Sequence, residues 1–562
     1  MDKETIDAAF PFDEYRRISD SATQYDVVAK IQSLLNDYDT IYVDAPTGTG
    51  KSPINVCCAT LADSAFYTTP LKSLREQLLA DSGLQPHITG LRGRRDYQCG
   101  ERDENCQDCP ISVDPERSCL NQSKCTYWNA KREAMDAHTA ALTFAYLITD
   151  SYLPVTDESG RQLSFDDREL LIIDEMDELE SQVASLFSGF TVGRNTLPNA
   201  VVCDVSEFID RSMSTHHEVI DYIEPMVDRA GYYMSKHAGD ESHAKEIEQC
   251  KRFMRKAEWM FDEIEDGRTW TVDVEPIDWM DGNRKQMRLS PVRVDNFLGE
   301  HVWSRSDKRI LSTATMPLRS DTRALSNRLG LDHDKAFTLK VSMPFPTKHR
   351  PVHTEFVGNF SDGGDAQHWP AIMDKLNELA GRHEGQRGVI HTVSYSRAQK
   401  IRETVDADDY PHLQDNLYQH ESRHETDAVV EGWLYSDQDI LLSPSVMTGV
   451  DLYDDRCRWG VLLKTPYPHL GDSRLSHLVN EKNDWHYYSD IAARSMVQAA
   501  GRAVRHVDDY ADFYLIDRAS KSLLRRASFP QWFIDAVVAD KEPVALAKNE
   551  PIGWKEPDIL DF

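Results

Sequence analysis

Lys51 and Ser52 close the segment APTGTGKS at 45–52, which follows a strand-like run, TIYVD, at 40–44. A strand, a glycine-rich loop and a helix in this order bring backbone N–H groups and a helix N-terminus against phosphate oxygens. Lys51 is predicted to reach the β- and γ-phosphates of ATP and Ser52 to ligate Mg²⁺, although Ala45 replaces the first glycine of the usual pattern. The predicted nucleotide-binding residues of this loop are Thr47, Gly48, Thr49, Gly50, Lys51 and Ser52.

Two acidic residues, Asp174 and Glu175, end the apolar run LLIIDE. A buried parallel strand would deliver both carboxylates to the sheet edge that carries the phosphate-binding loop. Asp174 is predicted to hold the Mg²⁺ shell and Glu175 to polarise the attacking water. Such a run is weak by itself, but together with the upstream loop it predicts ATP hydrolysis.

Two arginines, Arg502 and Arg505, lie three positions apart in QAAGRAVR at 498–505. This spacing predicts that both lie on one face of a helix, where they could stabilise charge on a transferring phosphoryl group. The alternative is a solvated basic helix face, because arginine pairs on helices are common.

Five of the ten cysteines fall within 27 residues, namely Cys99, Cys106, Cys109, Cys119 and Cys125. Nothing in the sequence directs export, so the cluster favours a metal site over disulfides. Four thiolates suit either tetrahedral zinc or an iron-sulfur cluster, and the spacing does not decide between them.

Basic and aromatic residues crowd the same segment, and residues 91–132 carry eight cations against seven acids. In a chain with a net charge of −31, this is a relatively basic region. Phosphate contacts combined with base stacking would suit single-stranded nucleic acid. The alternative is a metal-stapled loop without a role in nucleic-acid binding.

The wider sequence positions these groups on two α/β units. Strand-like runs alternate with helical patterns in the first 180 residues and again from KRILSTATMP at 308–317 to DFYLID at 512–517. This alternation predicts parallel sheets. Between the units, long amphipathic and highly charged stretches from about 201 to 266 predict a helical insertion.

Length and charge limit the class of protein further. A chain of 562 residues is expected to form several domains. Its apolar runs are far shorter than a membrane span and its start is unlike a signal peptide, so we expect a cytoplasmic protein. The excess of 94 acids over 63 bases suits a halophile's cytoplasm, where about 1 M salt shortens the Debye length to about 3 Å. An ordinary acidic protein is the alternative.

The ordered motifs resemble the iron-sulfur helicases of superfamily 2, the XPD and DinG family. APTGTGKS resembles motif I, YTTPLKSLREQ motif Ia, IIDEMDELE the DEAH box, LSTATMP motif III and GVIHTVSYS motif IV. MTGVDL, with Gly449 and Asp451, resembles motif V, and QAAGRAVRHVDDY, with Gln498, Arg502 and Arg505, resembles motif VI. FPFDEYR with Gln24 resembles the adenine-reading region, and the match covers nearly the whole chain.

The resemblance implies an α/β protein with two RecA-like P-loop motor domains, an inserted iron-sulfur domain and a helical arch domain. It places motor domain 1 at 1–90, 133–184 and 293–335, the iron-sulfur domain at 91–132, the arch at 185–292 and motor domain 2 at 336–562. It also implies ATP, Mg²⁺ and a 4Fe-4S cluster as cofactors, and a monomer that moves 5′ to 3′ on single-stranded or forked DNA in repair or replication. The implied cluster ligands are Cys99, Cys109, Cys119 and Cys125, with Cys106 as the alternative to Cys109.

One position departs from the family pattern. Asp177 stands where the DEAH box has a histidine that helps to couple hydrolysis to DNA binding. We therefore expect hydrolysis to persist through Asp174 and Glu175, with altered coupling. Two rival hypotheses are a zinc-containing nucleic-acid translocase or RNA remodeller, and a protein that binds ATP and DNA with impaired turnover. The charge suggests a haloarchaeon or one of its viruses as the source.

Overall fold

The structure is a computed structural model that describes most of the chain. The described residues are 2–19, 21–99, 125–152, 164–184, 189–193, 196–202, 216–278, 281–316, 322–360, 364–407, 409–419, 426–444, 452–481, 484–526 and 529–538. Five of the predicted site residues lie outside these ranges, namely Cys106, Cys109, Cys119, Gly449 and Asp451.

Seventeen strands are present in these ranges. They are β1 (Thr40–Asp44), β2 (Ala65–Thr69), β3 (Thr89–Gly90), β4 (Thr139–Thr143), β5 (Leu170–Asp174), β6 (Phe190–Val192), β7 (Trp270–Asp278), β8 (Asp281–Pro291), β9 (Lys308–Thr313), β10 (Ala336–Lys340), β11 (Val352–Gly358), β12 (Gly388–His391), β13 (Leu417–Gln419), β14 (Ile440–Ser443), β15 (Trp459–Leu462), β16 (Asp512–Asp517) and β17 (Val537–Val538).

The α-helices in the described ranges are α1 (Lys3–Ala9), α2 (Gln24–Leu34), α3 (Lys51–Leu61), α4 (Lys72–Ala80), α5 (Thr126–Asp136), α6 (Phe144–Tyr152), α7 (Leu179–Gln182), α8 (His216–Lys236), α9 (Ala244–Glu265), α10 (Asp295–His301), α11 (Thr322–Leu329), α12 (Gly364–Arg382), α13 (Tyr395–Ala407), α14 (Thr426–Leu434), α15 (Ser473–Ser476), α16 (Trp485–Ala500), α17 (Ala519–Arg526) and α18 (Gln531–Ala536).

Two seven-stranded sheets form the frame of the molecule. The first has the order β10-β1-β9-β5-β2-β4-β3 and the second β13-β14-β12-β15-β16-β11-β17. Every neighbouring pair of strands in both sheets is parallel. The central strands β1, β2, β5, β12, β14 and β15 are buried along their whole length, which explains their continuous apolar sequences. The predicted parallel sheets are confirmed.

One strand lies in a different sheet from the one expected. β10 begins at residue 336, the predicted start of the second motor domain, but it pairs with β1 at the edge of the first sheet. The chain therefore passes from the first sheet to the second between Lys340 and Val352. Residue type does not distinguish this strand, because an edge strand of either sheet would carry the same half-buried pattern.

The insertion between β5 and β9 combines helices with a small sheet. α8 and α9 pack against each other and on a three-stranded antiparallel sheet, β6-β8-β7. The helical pattern had predicted helices for this region and did not predict the sheet. β7 and β8 carry many charged residues, and this high charge hid the hydrophobic alternation that identifies a strand.

Candidate nucleotide site between the two parallel sheets

The phosphate-binding loop connects β1 to the N-terminus of α3. Gly48 and Gly50 have φ angles of 84° and 76°, in the region that favours glycine. A Cβ atom at Gly48 would lie 2.1 Å from Phe345 Cζ, and one at Gly50 would lie 2.1 Å from Gln24 Nε2. Both positions therefore require glycine for backbone conformation and for space.

Gln24 holds the backbone of the phosphate-binding loop in place. Its Nε2 donates hydrogen bonds to the carbonyl oxygens of Thr49 (3.0 Å) and Gly50 (3.2 Å), and its Oε1 accepts one from the Arg16 N–H (2.9 Å). The side chain is buried. In this structure Gln24 thus supports the loop backbone, and its predicted role in binding adenine stays a prediction.

Lys51 and the two predicted acids meet at the edge of the first sheet. Lys51 Nζ lies 3.7 Å from Glu175 Oε1. Asp174 is the last residue of β5, and its Oδ1 accepts hydrogen bonds from Ser312 Oγ (3.0 Å) and the Glu175 N–H (3.1 Å). Its Oδ2 accepts one from the hydroxyl of Tyr67 at 3.0 Å. Asp174 is therefore held in one orientation by neighbours on both sides of its strand.

Three residues that support this arrangement were not predicted from the sequence. Tyr67 and Ser312 bind Asp174 directly, and Asn55 Nδ2 donates a hydrogen bond to Ser312 Oγ at 2.9 Å. Burial and the nearby Asp174 raise the pKa of Tyr67 well above its usual range, so its hydroxyl stays a donor. The sequence feature that could have identified these three residues is that each is a polar residue in an otherwise apolar helix or strand.

Glu175 has an unusual backbone and an unusual acidity. Its φ and ψ are 52° and 54°, the left-handed region that a glutamate rarely adopts. Burial, reinforced by the charges of Asp177 and Asp174, raises the pKa of Glu175 to about 7, against the opposing effects of Lys51 and Arg502. A carboxyl group with a pKa near neutrality can accept a proton from water and release it again at physiological pH.

Asp177 joins the two sheets. Its Oδ1 accepts a hydrogen bond from Thr313 Oγ1 (2.9 Å), and its Oδ2 accepts bonds from Thr315 Oγ1 (3.0 Å) and Gln498 Nε2 (3.2 Å). Arg494 NH1 donates to the Asp177 carbonyl oxygen and lies 4.0 Å from Oδ2. Thr313 ends β9 of the first sheet and Thr315 follows it, whereas Gln498 and Arg494 lie on α16 of the second sheet.

The prediction that Arg502 and Arg505 lie on one helix face is wrong. α16 ends at Ala500, and both arginines lie in the irregular segment that follows. A Cβ atom at Gly501 would lie 3.2 Å from Thr47 Oγ1, so the chain passes close to the phosphate-binding loop there. After Gly501 the chain leaves the helical path, and Val504 is buried in a small apolar cluster that includes Met343.

The predicted groups from both sheets nevertheless line one cavity of about 840 Å³. The first sheet contributes Thr47, Gly48, Gly50, Lys51, Ser52, Asp174 and Glu175, and the second contributes Gln498, Arg502 and Arg505. The volume suits a nucleotide-sized ligand. Arg16 and Arg17 lie at the same cavity and add positive charge.

Two of the clustered cysteines lie within the described residues. Cys99 and Cys125 are both half-buried. Thr126 Oγ1 donates a hydrogen bond to the Gln98 carbonyl oxygen at 2.5 Å, which ties together the residues next to these cysteines. The guanidinium of Arg94 lies over the Tyr127 ring at 5.1 Å and near the Trp128 ring at 5.7 Å.

The class of protein follows from the second sheet and the overall architecture. Residues 376–536 match the family described as the helicase C-terminal domain, a stretch that contains Gln498, Arg502 and Arg505. A solved XPD helicase structure aligns with 91% of this chain and 97% of its own chain, with a TM-score of 0.57 and 14% identity. Xpd4 of S. tokodaii aligns with 89% and 96%, with a TM-score of 0.53 and 15% identity. The fold is therefore that of tandem RecA-like helicase domains.

Particular relatives are found among fungal enzymes. The ATP-dependent DNA helicase CHL1 of Vanderwaltozyma polyspora is 28% identical over 100 residues, which are 15% of this chain and 12% of that protein. CHL1 of Candida albicans is 26% identical over 100 residues, with the same shares of each chain. The match thus spans about an eighth of the length of these relatives.

A search of the described residues for a helix long and apolar enough to cross a membrane finds none.

Proposed function

We propose that this chain is an ATP-dependent DNA helicase of the XPD and CHL1 type. The observation that carries the proposal is the single cavity in which Lys51 and Glu175 of the first sheet face Arg502 and Arg505 of the second. A nucleotide bound there touches both sheets, so its hydrolysis changes the contacts that hold the sheets together. Such a site converts ATP turnover into relative movement of two domains.

The residues of the first sheet bind the nucleotide and activate water. Lys51 and the loop N–H groups bind the phosphates, and Glu175 orients the attacking water and accepts its proton. Arg502 and Arg505 stabilise the charge that develops on the transferred phosphoryl group. Ser52 and Asp174 would hold Mg²⁺, which neutralises phosphate charge when it is bound. The hydrogen bonds from Tyr67 and Ser312 to Asp174 fit a residue whose oxygens must be fixed in place.

Coupling between hydrolysis and DNA passes through Asp177 in this proposal. Its carboxylate links the end of β9 to α16, and it follows Glu175 by two residues in the chain. A histidine at this position would offer at most one acceptor nitrogen, whereas the aspartate accepts three hydrogen bonds. The aspartate also lies beside the positive charge of Arg494, so the contact is an ion pair.

The cysteine segment would hold a 4Fe-4S cluster in the proposed enzyme. Cys99 and Cys125 fit this role because their neighbours are hydrogen-bonded to each other, which keeps the two ends of the segment together. The remaining ligands are Cys119 and either Cys109 or Cys106. A bound cluster would tie these thiolates into one rigid unit beside the basic and aromatic residues.

The proposed substrate is single-stranded or forked DNA, on which a monomer moves 5′ to 3′ during repair or replication. Arg94 and the half-buried Trp128, whose ring lies 5.7 Å from the guanidinium, offer the charge and stacking surface that single strands require, whereas Tyr127 is buried. The net charge of −31 opposes DNA binding at long range, and we propose that high salt in a haloarchaeal cytoplasm screens this repulsion. The polarity and the biological process rest on the family resemblance.

Steady-state ATP hydrolysis with and without single-stranded DNA tests the proposal. We expect the DNA to stimulate hydrolysis at about 1 M salt, where screening is strong. Hydrolysis that DNA does not change, together with no separation of a forked duplex, would overturn the helicase assignment. A protein that binds cysteine-ligated zinc and lacks visible absorbance would instead favour the zinc-containing translocase.

A further inference from the structure

The turn between α8 and α9 carries a cluster of side chains that the nucleotide site does not use. His237 follows the end of α8, Asp240 lies in the turn, and His243 immediately precedes α9. The three residues share a spacing of three, so a single tight turn brings them together. This turn belongs to the insertion that separates β5 from β9 in the sequence.

The donor atoms of these three residues are close to one another. One imidazole nitrogen from each histidine and one carboxylate oxygen of Asp240 all lie within 4.8 Å of each other. The two imidazole rings have centroids 4.0 Å apart and an angle of 31° between their planes. Donors of a tetrahedral zinc site lie about 2.0–2.2 Å from the metal. Small side-chain rotations in this turn would bring the three atoms to that distance.

A carboxylate already orients one of the rings. Asp240 Oδ2 lies 2.9 Å from His243 Nδ1, so these two atoms can approach one ion from neighbouring positions. A further carboxylate oxygen, Glu246 Oε2, lies 3.9 Å from Nε2 of the same ring. Tyr233 donates a short hydrogen bond to the same carboxylate oxygen of Glu246 and thereby positions it.

The local contacts are not explained by helix capping alone. Asp240 Oδ1 accepts hydrogen bonds from the Ser242 N–H (3.0 Å) and Oγ (2.7 Å), which is ordinary turn chemistry. These turn contacts extend to His243, whose Nδ1 lies 3.0 Å from Ser242 Oγ, but they do not involve the ring of His237. The ring of His237 contacts those of Tyr233 and His243, and among the described residues neither of its nitrogens has a hydrogen-bond partner.

We propose that His237, Asp240 and His243 bind a divalent transition-metal ion, with Zn²⁺ as the best fit and Glu246 or water as the fourth ligand. Two imidazoles and a carboxylate suit zinc and disfavour Mg²⁺ and Ca²⁺, which select oxygen ligands. The bound ion connects the end of α8 to the start of α9 and stiffens the tip of this helical hairpin.

The experiment compares the zinc content of the full-length protein with that of the His237→Ala/His243→Ala double variant after dialysis against Zn²⁺. We expect the unmodified protein to retain one zinc ion more per chain than the double variant. Cysteine-bound metal is common to both proteins and cancels in this difference. Ser242→Ala is the matched control, because it removes a hydrogen bond from the same turn but no proposed ligand.

Spectroscopy identifies the ligands. With Co²⁺ as the probe, the difference spectrum between the unmodified protein and the double variant should show weak visible bands without a thiolate charge-transfer band. Equal metal content in the two proteins would overturn the proposal, as would loss of metal from Ser242→Ala to the same extent. ATP hydrolysis should be unchanged in all three proteins, so the outcome is independent of the proposed helicase activity.

Discussion

The two halves of the nucleotide site are built differently. In the first sheet, Lys51 begins a helix and Asp174 ends a buried strand, and Asp174 accepts three hydrogen bonds. In the second sheet, Arg502 and Arg505 lie in an irregular segment beyond the end of α16. Regular elements fix side chains more precisely than loops do. In the proposed mechanism, the first sheet provides a fixed binding half, and the second provides the half whose contacts change with the nucleotide.

Contacts between the two halves are close. A Cβ atom at Gly48 would lie 3.3 Å from the Arg505 carbonyl oxygen, and one at Gly501 would lie 3.2 Å from Thr47 Oγ1. Asp177 adds hydrogen bonds and an ion pair between the same two sheets. Removal of groups from the fixed half should therefore abolish ATP hydrolysis. Removal of the groups that link the two halves should instead uncouple hydrolysis from DNA binding.

Lys51→Ala should have the largest effect, because no other described cation of the first sheet lies as close to the phosphate-binding loop and Glu175. We expect ATP hydrolysis to fall by at least roughly 1,000-fold, as is typical when a group that stabilises transition-state charge is lost. Lys72→Ala is the control, since Lys72 is an exposed partner of Asp96 on the same sheet. Substantial hydrolysis by Lys51→Ala would show that the fixed half has been assigned incorrectly.

Arg502→Ala tests the responsive half. We expect kcat to fall by roughly 1,000-fold or more, the usual contribution of an arginine that stabilises the transferred phosphoryl group. Arg502 also lowers the pKa of Glu175. Without Arg502 this pKa should rise, so hydrolysis should begin to fall at a higher pH as the solution is acidified. Arg456→Ala, on an exposed residue of the same half, should leave both quantities unchanged. An effect confined to KM would assign Arg502 to binding alone.

Glu175→Gln should reduce kcat by roughly 100-fold or more, in line with the loss of a general base. Because burial raises the pKa of Glu175 to about 7, hydrolysis by the unmodified protein should increase as the pH rises through 7, and the variant should lack this increase. Asp44 has a pKa of about 7 for the same main reason and is retained in both proteins, so the difference isolates Glu175.

The same substitution has a consequence for stability. The pKa of Glu175 is higher in the folded than in the unfolded chain, so its contribution to the free energy of unfolding is lost as the pH rises through 7. Glu175→Gln should therefore be more stable than the unmodified protein at pH 8, measured by thermal unfolding. Glu133→Gln, at an exposed acid of α5 outside the cavity, is the control, and equal stabilisation by both would argue against this assignment.

Asp177→Ala breaks the link between the halves and leaves the catalytic groups in place. We expect basal hydrolysis within a few-fold of the unmodified protein and loss of most of the stimulation by DNA. Asp177→Asn retains an oxygen acceptor for the threonines but removes the charge beside Arg494. Its stimulation by DNA should therefore lie between that of Asp177→Ala and that of the unmodified protein. Unchanged stimulation in Asp177→Ala would remove Asp177 from the coupling route.

Gln24→Ala should have the smallest effect on kcat. The substitution removes three hydrogen bonds that hold the phosphate-binding loop and the Arg16 backbone, each worth about 1 kcal/mol. We expect a higher KM for ATP, by roughly 10-fold, with kcat little changed. A fall in kcat with unchanged KM would indicate that the loop needs Gln24 for chemistry and not for binding.

The residues predicted for the first half of the site follow strong local patterns, and the structure places them at one cavity. A strand, a glycine-rich loop and a helix identify Lys51, and an apolar strand that ends in acids identifies Asp174 and Glu175. The local spacing of Arg502 and Arg505 was misleading, because a tertiary contact at Gly501 ends the helix. Asn55, Tyr67 and Ser312 could not be predicted, since their partners lie up to 257 positions away in the chain.

The insertion between β5 and β9 was also only partly predictable from the sequence. Helical periodicity located α8 and α9. β6 pairs with β8 across a long separation, from Phe190 to Leu289, whereas β7 and β8 form a hairpin whose many charged residues hid the strand pattern. The position of β10 is also a tertiary property, because only its pairing with β1 places it in the first sheet. Asp177 was recognised as a departure from the family pattern, but its contacts with both sheets required the structure.

Unwinding of a forked DNA duplex across a salt series tests the central claim most directly, because it requires ATP chemistry, DNA binding and coupling in one assay. The unmodified protein should separate the fork only with ATP, with activity that rises toward about 1 M salt as long-range repulsion is screened. Lys51→Ala should be inactive at every salt concentration. Separation of the fork by Lys51→Ala, or no separation by the unmodified protein at any salt concentration, would contradict the account.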